Sequence, residues 1–376
     1  MLSYFTKYFL GDVNMNFYQL LQLGPQQLKQ QILEEKDLHR RNYLRFILFF
    51  RSFLIVCFAL IFVIGATLLF GKGNSSVAVG FFCLLLQSRF VNYGYNIFSS
   101  IFNMFLISVI VAFDSLLAPK ANPFLGFVLN FGFLLFIIFV TCDNPKMGNV
   151  AVYVDTYLFS TFLPPQNIRE VHLRFIEVAI GFVICSIIFI VHHANQNKDV
   201  KFRDVLKHFS LKNKVTQWQL RLAFGISLVL FIGQFCKLPR YFWLGISALS
   251  ILSIYEPESK KIRHVNINNR VLERIFGIVI GSLLFGVIYT IFPAKFNILI
   301  GPLGGLFVGF SATYRWSTVF NCLGALMMAT SLYGANASII LRIFNNILGC
   351  IVTVIFMLVI KKLVAFYQKG HTNSKV

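Results

Sequence analysis

Apolar residues fall in long runs separated by short polar segments. The runs lie at about 44–70, 75–90, 97–118, 124–141, 148–163 and 170–193, then at 219–236, 240–255, 271–292, 295–312, 317–333 and 337–364. Most approach the ~20 residues that a helix needs to cross a bilayer. The pattern predicts an all-α fold, a polytopic integral membrane protein with about twelve transmembrane helices. The runs at 75–90 and 240–255 are short for a full span, which predicts tilted, broken or partly re-entrant helices.

Composition narrows the class. Of 376 residues, 57% are apolar and 13% charged, and the mean hydropathy is +0.72. A soluble domain carries about 25% charged residues, so soluble and disordered classes are both excluded. About twelve spans leave only short loops, with no room for a catalytic domain, and the chain is not expected to be an enzyme. The 44 Phe, 14 Tyr and 3 Trp exceed what interfacial belts use, so aromatic side chains are expected between helices. A net charge of +20 would point to nucleic acid in a soluble protein. Here the membrane explains it, and no nucleic-acid partner is expected.

The position of the positive charge sets the orientation. With a cytoplasmic N-terminus, the inner segments hold Lys7, Lys29, Lys36, Arg40, Arg41, Arg45, Arg89, Lys146, the cluster Lys198 to Lys214, Lys260, Lys261, Arg263, Arg270, Arg274, Arg315 and the C-terminal Lys361, Lys362, Lys369 and Lys375. The outer loops hold only Lys72, Lys120, Arg169, Lys237, Arg240 and Lys295. The positive-inside rule places both termini in the cytoplasm and the protein in the cell membrane. Pro25 suits the first position of a helix. Leu28, Ile32, Leu33 and Tyr43 offer it an apolar stripe that would lie on the inner leaflet or lead, solvated, into the first span. Met15 is a second candidate start.

The two sets of six runs look like copies. Leu173-Arg174 with Gly181 is matched by Leu341-Arg342 with Gly349, Ile101-Phe102 by Ile275-Phe276, and Arg51 by Arg221, always at an offset of about 170 residues. Six is even, so the repeats would be parallel in the membrane. The expected organisation is a cytoplasmic amphipathic segment (1–43), a first six-helix repeat (44–193), a basic cytoplasmic linker (194–218), a second six-helix repeat (219–364) and a cytoplasmic tail (365–376).

Charges within spans are costly and mark functional sites. Arg174 and Arg342, one per repeat, would form a positive constriction for a carboxylate, which guanidinium engages bidentately. Arg174 equally fits a buried pair with Glu177 one turn on, and in the second repeat Asn345 takes the place of Glu177. Arg51 and Arg221 lie nearer the cytoplasm, within snorkelling reach. Asp114, Asp155 and Glu177 are the acids that could take up and release a proton, although Asp114 also fits the outer interface and Asp155 a pair with an arginine. The seven Cys and seven His are scattered without metal-ligand spacing, and neither a metal nor a cofactor is expected. Gly65 to Lys72 only superficially resembles a phosphate loop, because its spacing is one residue long and it lies in a span.

One stretch is more specific. Tyr241-Phe242-Trp243-Leu244-Gly245-Ile246-Ser247-Ala248-Leu249, a basic inner loop, then Arg270, Glu273-Arg274, Gly277 and Gly281 resembles the second half of the fusaric acid resistance and aromatic acid exporter superfamily, which is related to plant aluminium-activated malate transporters. Arg342 and Gly349 are similar to the family's final-helix Arg and Gly. The first half carries Asn96, Ser100 and Asn103 where the second has Arg270, Arg274 and Gly277. The resemblance implies organic-anion permeation. Arg342 and Arg174 would engage the carboxylate, Arg270 and Arg274 with Glu273 would collect anions from the cytoplasm, and aromatic side chains would line the path. Gly277 and Gly281 also fit plain close packing of helices. The leading expectation is a gradient-driven exporter of aromatic or other organic weak-acid anions, in contact with membrane lipids and open to homo-oligomerisation. The alternatives are a passive organic-anion channel of the same fold and a non-transporting membrane partner or envelope assembly protein.

Overall fold

The computed structural model describes residues 15–145, 149–161, 164–255 and 267–373. Lys7, Lys146, Lys260, Lys261, Arg263 and Lys375 of the orientation argument lie outside the described residues. Two short helices, α1 (Phe17–Gln22) and α2 (Pro25–Glu34), are followed by α3 (Leu38–Phe70), α4 (Ser75–Ser88), α5 (Ile97–Leu117), α6 (Pro123–Thr141), α7 (Asn149–Ser160) and α8 (Ile168–His193). After a short α9 (Phe202–Lys207) come α10 (Lys214–Phe235), α11 (Phe242–Leu252), α12 (Ile267–Ile291), α13 (Ile300–Phe310), α14 (Tyr314–Tyr333) and α15 (Ala335–Asn373). Every described element is a helix or a 3-10 turn. Among the described residues, seven helices are long and apolar enough to cross a membrane: α3, α5, α6, α8, α10, α12 and α15 through Leu363. The protein is therefore an all-helical, multi-pass membrane protein.

Caps explain where these helices start. Asp37 accepts from the backbone N–H groups of His39 and Arg40, at 3.1 and 3.2 Å, so α3 begins before the apolar run does. Asn96, Asn122 and Asn167 cap α5, α6 and α8 in the same manner. The expected run at 295–312 is instead a 3-10 turn, Ala294–Leu299, leading into α13. Pro302 is the reason, because it has no N–H to donate and is tolerated only in a helix's first turn.

Packing divides the chain into two units, one of residues 1–58 and 279–335, the other of 59–278 and 336–376. In the first, Leu28 and Ile32 of α2 pack with Leu20 on Leu44, Ile47 and Leu48 of α3, together with Phe310. This apolar stripe thus covers the start of α3, whereas Leu33 stays exposed. Glycines let the spans of this unit approach closely: a Cβ at Gly304 would meet the Phe320 carbonyl at 2.8 Å, and one at Gly281 would meet the Val319 carbonyl.

In the second unit the short helices are inside. α11 has 11 residues, about 16 Å of rise, roughly half the hydrocarbon thickness. It is buried along nearly its whole length and packs on α7, of 12 residues, which packs in turn on α4, of 14. Such helices are compatible with a bilayer where their ends are covered by protein instead of lipid. The longer α5, α6, α8 and α10 pack around them. The basic linker is docked as well: the Phe202 ring meets Tyr95 at a tilt and Phe139 edge-on, and Asn96 N–H donates to the Val200 carbonyl at 2.8 Å.

In both α8 and α15 a glycine contacts a short helix. Gly181 of α8 lies against the Phe81 ring of α4, and a Cβ at Gly349 of α15 would sit 2.9 Å from Leu244 Cα in α11. The second obstacle is backbone and cannot rotate away. Gly349→Leu is expected to lower stability by about 1–3 kcal/mol, read as a depressed Tm in detergent. Gly132→Leu, at a position with nothing within 4 Å, should leave Tm unchanged.

Candidate functional site

Arg240, Trp243, Ser247 and Ser250 are spaced at three, four and three residues, so they form one stripe along α11 and the turn that precedes it. The stripe is about 15 Å long at the helical rise. Each of its levels is occupied by an arginine.

At the level of Trp243, which is 2% exposed, Arg240 Cζ lies 4.8 Å from the ring centroid and Arg342 Cζ of α15 lies 5.1 Å from it. Both guanidinium groups are buried on an aromatic quadrupole that favours cations. The turn delivering Arg240 is tight: Lys237 and Arg240 adopt positive φ, 51° and 55°, uncommon for residues with a side chain. It is pinned by Asn345, whose Nδ2 donates to the Pro239 carbonyl at 2.8 Å and the Arg240 carbonyl at 3.3 Å.

One turn further, Arg274 of α12 donates from Nε to Ser247 Oγ at 3.1 Å and from Nη2 to Asn346 Oδ1 at 2.9 Å. Ser247 also donates to Asn346 Oδ1, at 2.8 Å, and Asn346 Nδ2 returns to the Arg342 carbonyl. Last, Arg270 Nε donates to the Ser250 carbonyl at 3.2 Å. Asp155 of α7 lies within electrostatic reach of Arg274, and its buried Oδ1 accepts no hydrogen bond among the described residues. Glu273 is half-buried between the two α12 arginines.

A second polar cluster joins α5, α6, α7 and α8. Arg174 is 1% exposed. It donates from Nε to Asn74 Oδ1 at 2.8 Å, from Nη2 to the Gly73 carbonyl at 2.8 Å, and from Nη1 to the Ser160 carbonyl at 3.2 Å. Glu177, one turn along, is buried, and neither carboxylate oxygen has a hydrogen-bond partner among the described residues. Asp114 is 0% exposed. Tyr157 Oη lies 2.7 Å from Asp114 Oδ1 and 2.7 Å from Asn130 Oδ1, and Ser160 Oγ lies 3.4 Å from Asp114 Oδ2.

Of the residues singled out from the sequence, Arg270, Arg274 and Arg342 thus line one helix face, with Asp155 beside them. Arg174, Glu177 and Asp114 form the other cluster. Arg174 and Arg342 occupy matching positions of their helices yet have no described partner in common: one holds the turn between α3 and α4, the other stacks on Trp243. Arg51 and Arg221 are half-buried in α3 and α10. Arg240, read from the sequence as an outer-loop cation, is buried instead. Its signal was an aromatic three residues on, at Trp243, where a cation is covered by a ring. Asn74, Asn130, Tyr157 and Asn346 were also not foreseen, since uncharged polar residues in apolar runs carry no mark of their long-range partners. Among the described residues, no group of three or more His, Cys, Asp or Glu could hold a metal ion.

The stripe falls within a stretch that a family model matches. No curated protein and no solved structure matches the chain. Residues 228–356 match the family model described as fusaric acid resistance protein-like, a stretch that contains Arg240, Trp243, Ser247, Arg270, Arg274 and Arg342 together with Gly349. Residues 228–356, from late α10 into α15, are thus similar to that family.

Proposed function

We propose that the protein is a cell-membrane transporter that exports aromatic or other organic weak-acid anions by a gradient-driven mechanism. The observation that carries this reading is the arginine-lined stripe of α11. Arg240 and Arg342 at one end, Arg274 in the middle and Arg270 at the other would pass a carboxylate along by exchange of bidentate contacts. Trp243 and the neighbouring Phe242 would accept the apolar part of the substrate. The direction of the stripe fits both termini in the cytoplasm: Arg270 and Ser250 are then at the inner end and Arg240 at the outer. Asp114, Asp155 and Glu177 are the acids available for proton coupling. The protein is read as a carrier and not an enzyme, in contact with lipid and open to homo-oligomerisation.

We also read the chain as two parallel six-helix repeats, about twelve spans in all. Two correspondences support this. In each half the last helix uses a polar pair to hold the turn between the first two helices, Arg174 on Gly73 and Asn74 in one, Asn345 on Pro239 and Arg240 in the other. In each half a glycine of that last helix meets the second helix. On this reading the first repeat keeps the packing, and the second carries the anion stripe.

The test is flux of labelled aromatic and aliphatic carboxylates in proteoliposomes, with and without an imposed pH gradient. Saturable, gradient-driven flux is expected, reduced at least ~10-fold in Arg342→Ala, equivalent to about 1.4 kcal/mol of lost stabilisation. Flux that follows membrane potential alone would identify a channel, and the absence of flux for every acid would overturn the transport reading.

A second prediction separates the two arginines. Arg174→Lys keeps the charge but cannot serve three acceptors in the same directions. It should cost about 1–3 kcal/mol of stability by leaving a buried acceptor unsatisfied, seen as a lower Tm. Its KM for the transported acid should stay unchanged, whereas Arg342→Lys should raise KM with Tm nearly unaltered.

A further inference from the structure

Proton counting in the α5–α8 cluster distinguishes its acids. Asp114 Oδ1, Tyr157 Oη and Asn130 Oδ1 form a chain of three oxygens with two links of 2.7 Å. Each link needs a proton, and the tyrosine hydroxyl has one. Asn130 cannot supply the other, because its Nδ2 donates to the Gly126 carbonyl at 2.7 Å and turning the amide over would set two oxygens against each other there. Ser160 cannot supply it either: its single hydroxyl proton points to the Tyr157 carbonyl at 2.6 Å, and its nearest Asp114 atom is Oδ2, not Oδ1. The missing proton is therefore on Asp114 itself.

We propose that Asp114 is a proton-binding site, held as the neutral acid in this conformation, with its O–H donated to Tyr157 and the Tyr157 O–H donated to Asn130. This rests on the transport reading only for its use in coupling. Glu177 lies one turn from Arg174 on the same face of α8, and Asp155 lies within electrostatic reach of Arg274; neither belongs to this chain of oxygens. The groups that face Asp114 are few. From α7 there is Tyr157, from α8 Arg174, and from the turn before α11 Tyr241; α6 presents the uncharged Asn130.

Release of the proton would have a mechanical effect. Ionised Asp114 would take the Tyr157 proton as an acceptor, and the 2.7 Å contact of Tyr157 with Asn130 would become two oxygens without a proton between them. The link between α7 and α6 would open. Tyr241 adjoins Arg240, so the proton site borders one end of the arginine stripe.

The test is the carboxylic-acid carbonyl stretch in the infrared spectrum of the purified full-length protein in lipid nanodiscs at neutral pH, with hydrogen–deuterium exchange to identify the band. A component assigned to Asp114 is expected in the wild type, lost in Asp114→Asn, and retained in Glu177→Gln and Asp155→Asn. Tyr157→Phe, which removes the acceptor of the acid proton, should shift the same band to higher wavenumber, and this variant decides the matter if Asp114→Asn does not fold. A band absent from the wild type, or one that vanishes in Glu177→Gln and is unmoved in Tyr157→Phe, would overturn the proposal. The measurement needs no transported substrate, so a protein that moves no acid can still show the band, and the failure of one reading is distinct from the failure of the other.

Discussion

The constraint on which the rest of this structure depends is the cost of keeping arginine charge away from water. A lone arginine at the centre of a spanning helix costs about 2.5–3.5 kcal/mol even by the more lenient scales. The protein buries Arg174, Arg240, Arg274 and Arg342, and each determines what surrounds it. Arg174 collects the carbonyls of a turn and of a neighbouring helix end. Arg240 and Arg342 share one tryptophan ring. Arg274 is held by a serine and an asparagine, with Asp155 within reach. The short helices α4, α7 and α11, on which or beside which these arginines are held, occupy the interior of the larger unit.

The two clusters use arginine differently. Around Arg174 the partners are fixed main-chain and amide oxygens, a pattern that locks a turn to a helix. Along α11 Arg270 is also held by a main-chain carbonyl, but Arg240, Arg342 and Arg274 meet an aromatic face, a hydroxyl and an amide oxygen, which an incoming carboxylate could replace at small cost. On the proposed reading, Arg174 therefore serves structure in one half and Arg342 serves the substrate in the other. The stretch similar to the fusaric acid resistance family model, residues 228–356, contains α11 and Arg342.

Much of the helical layout was legible in the sequence, because bilayer thickness imposes a run length that composition cannot disguise. Deviations have local causes: Asp37 advances α3, and Pro302 delays α13. The candidate site was legible where it carries formal charge, at Arg270, Arg274 and Arg342. It was illegible where burial depends on tertiary contact. Arg240 looked like a loop residue because it lies beside Pro239 and near Lys237, and only the fold covers it with Trp243. Asp114 looked isolated because Tyr157 and Asn130 are distant along the chain, and periodicity does not report which faces of which helices meet.

The central claim, that the α11 stripe is an anion path, is tested most directly by thiol chemistry on the stripe. Single cysteines at Ser247 and Ser250, in a background without the native cysteines, would be challenged with small anionic and cationic thiol reagents of equal size. The account predicts reaction at both positions, faster for the anionic reagent and slowed by an aromatic carboxylate. Inertness at both, or equal rates for the two charges with no protection, would contradict it.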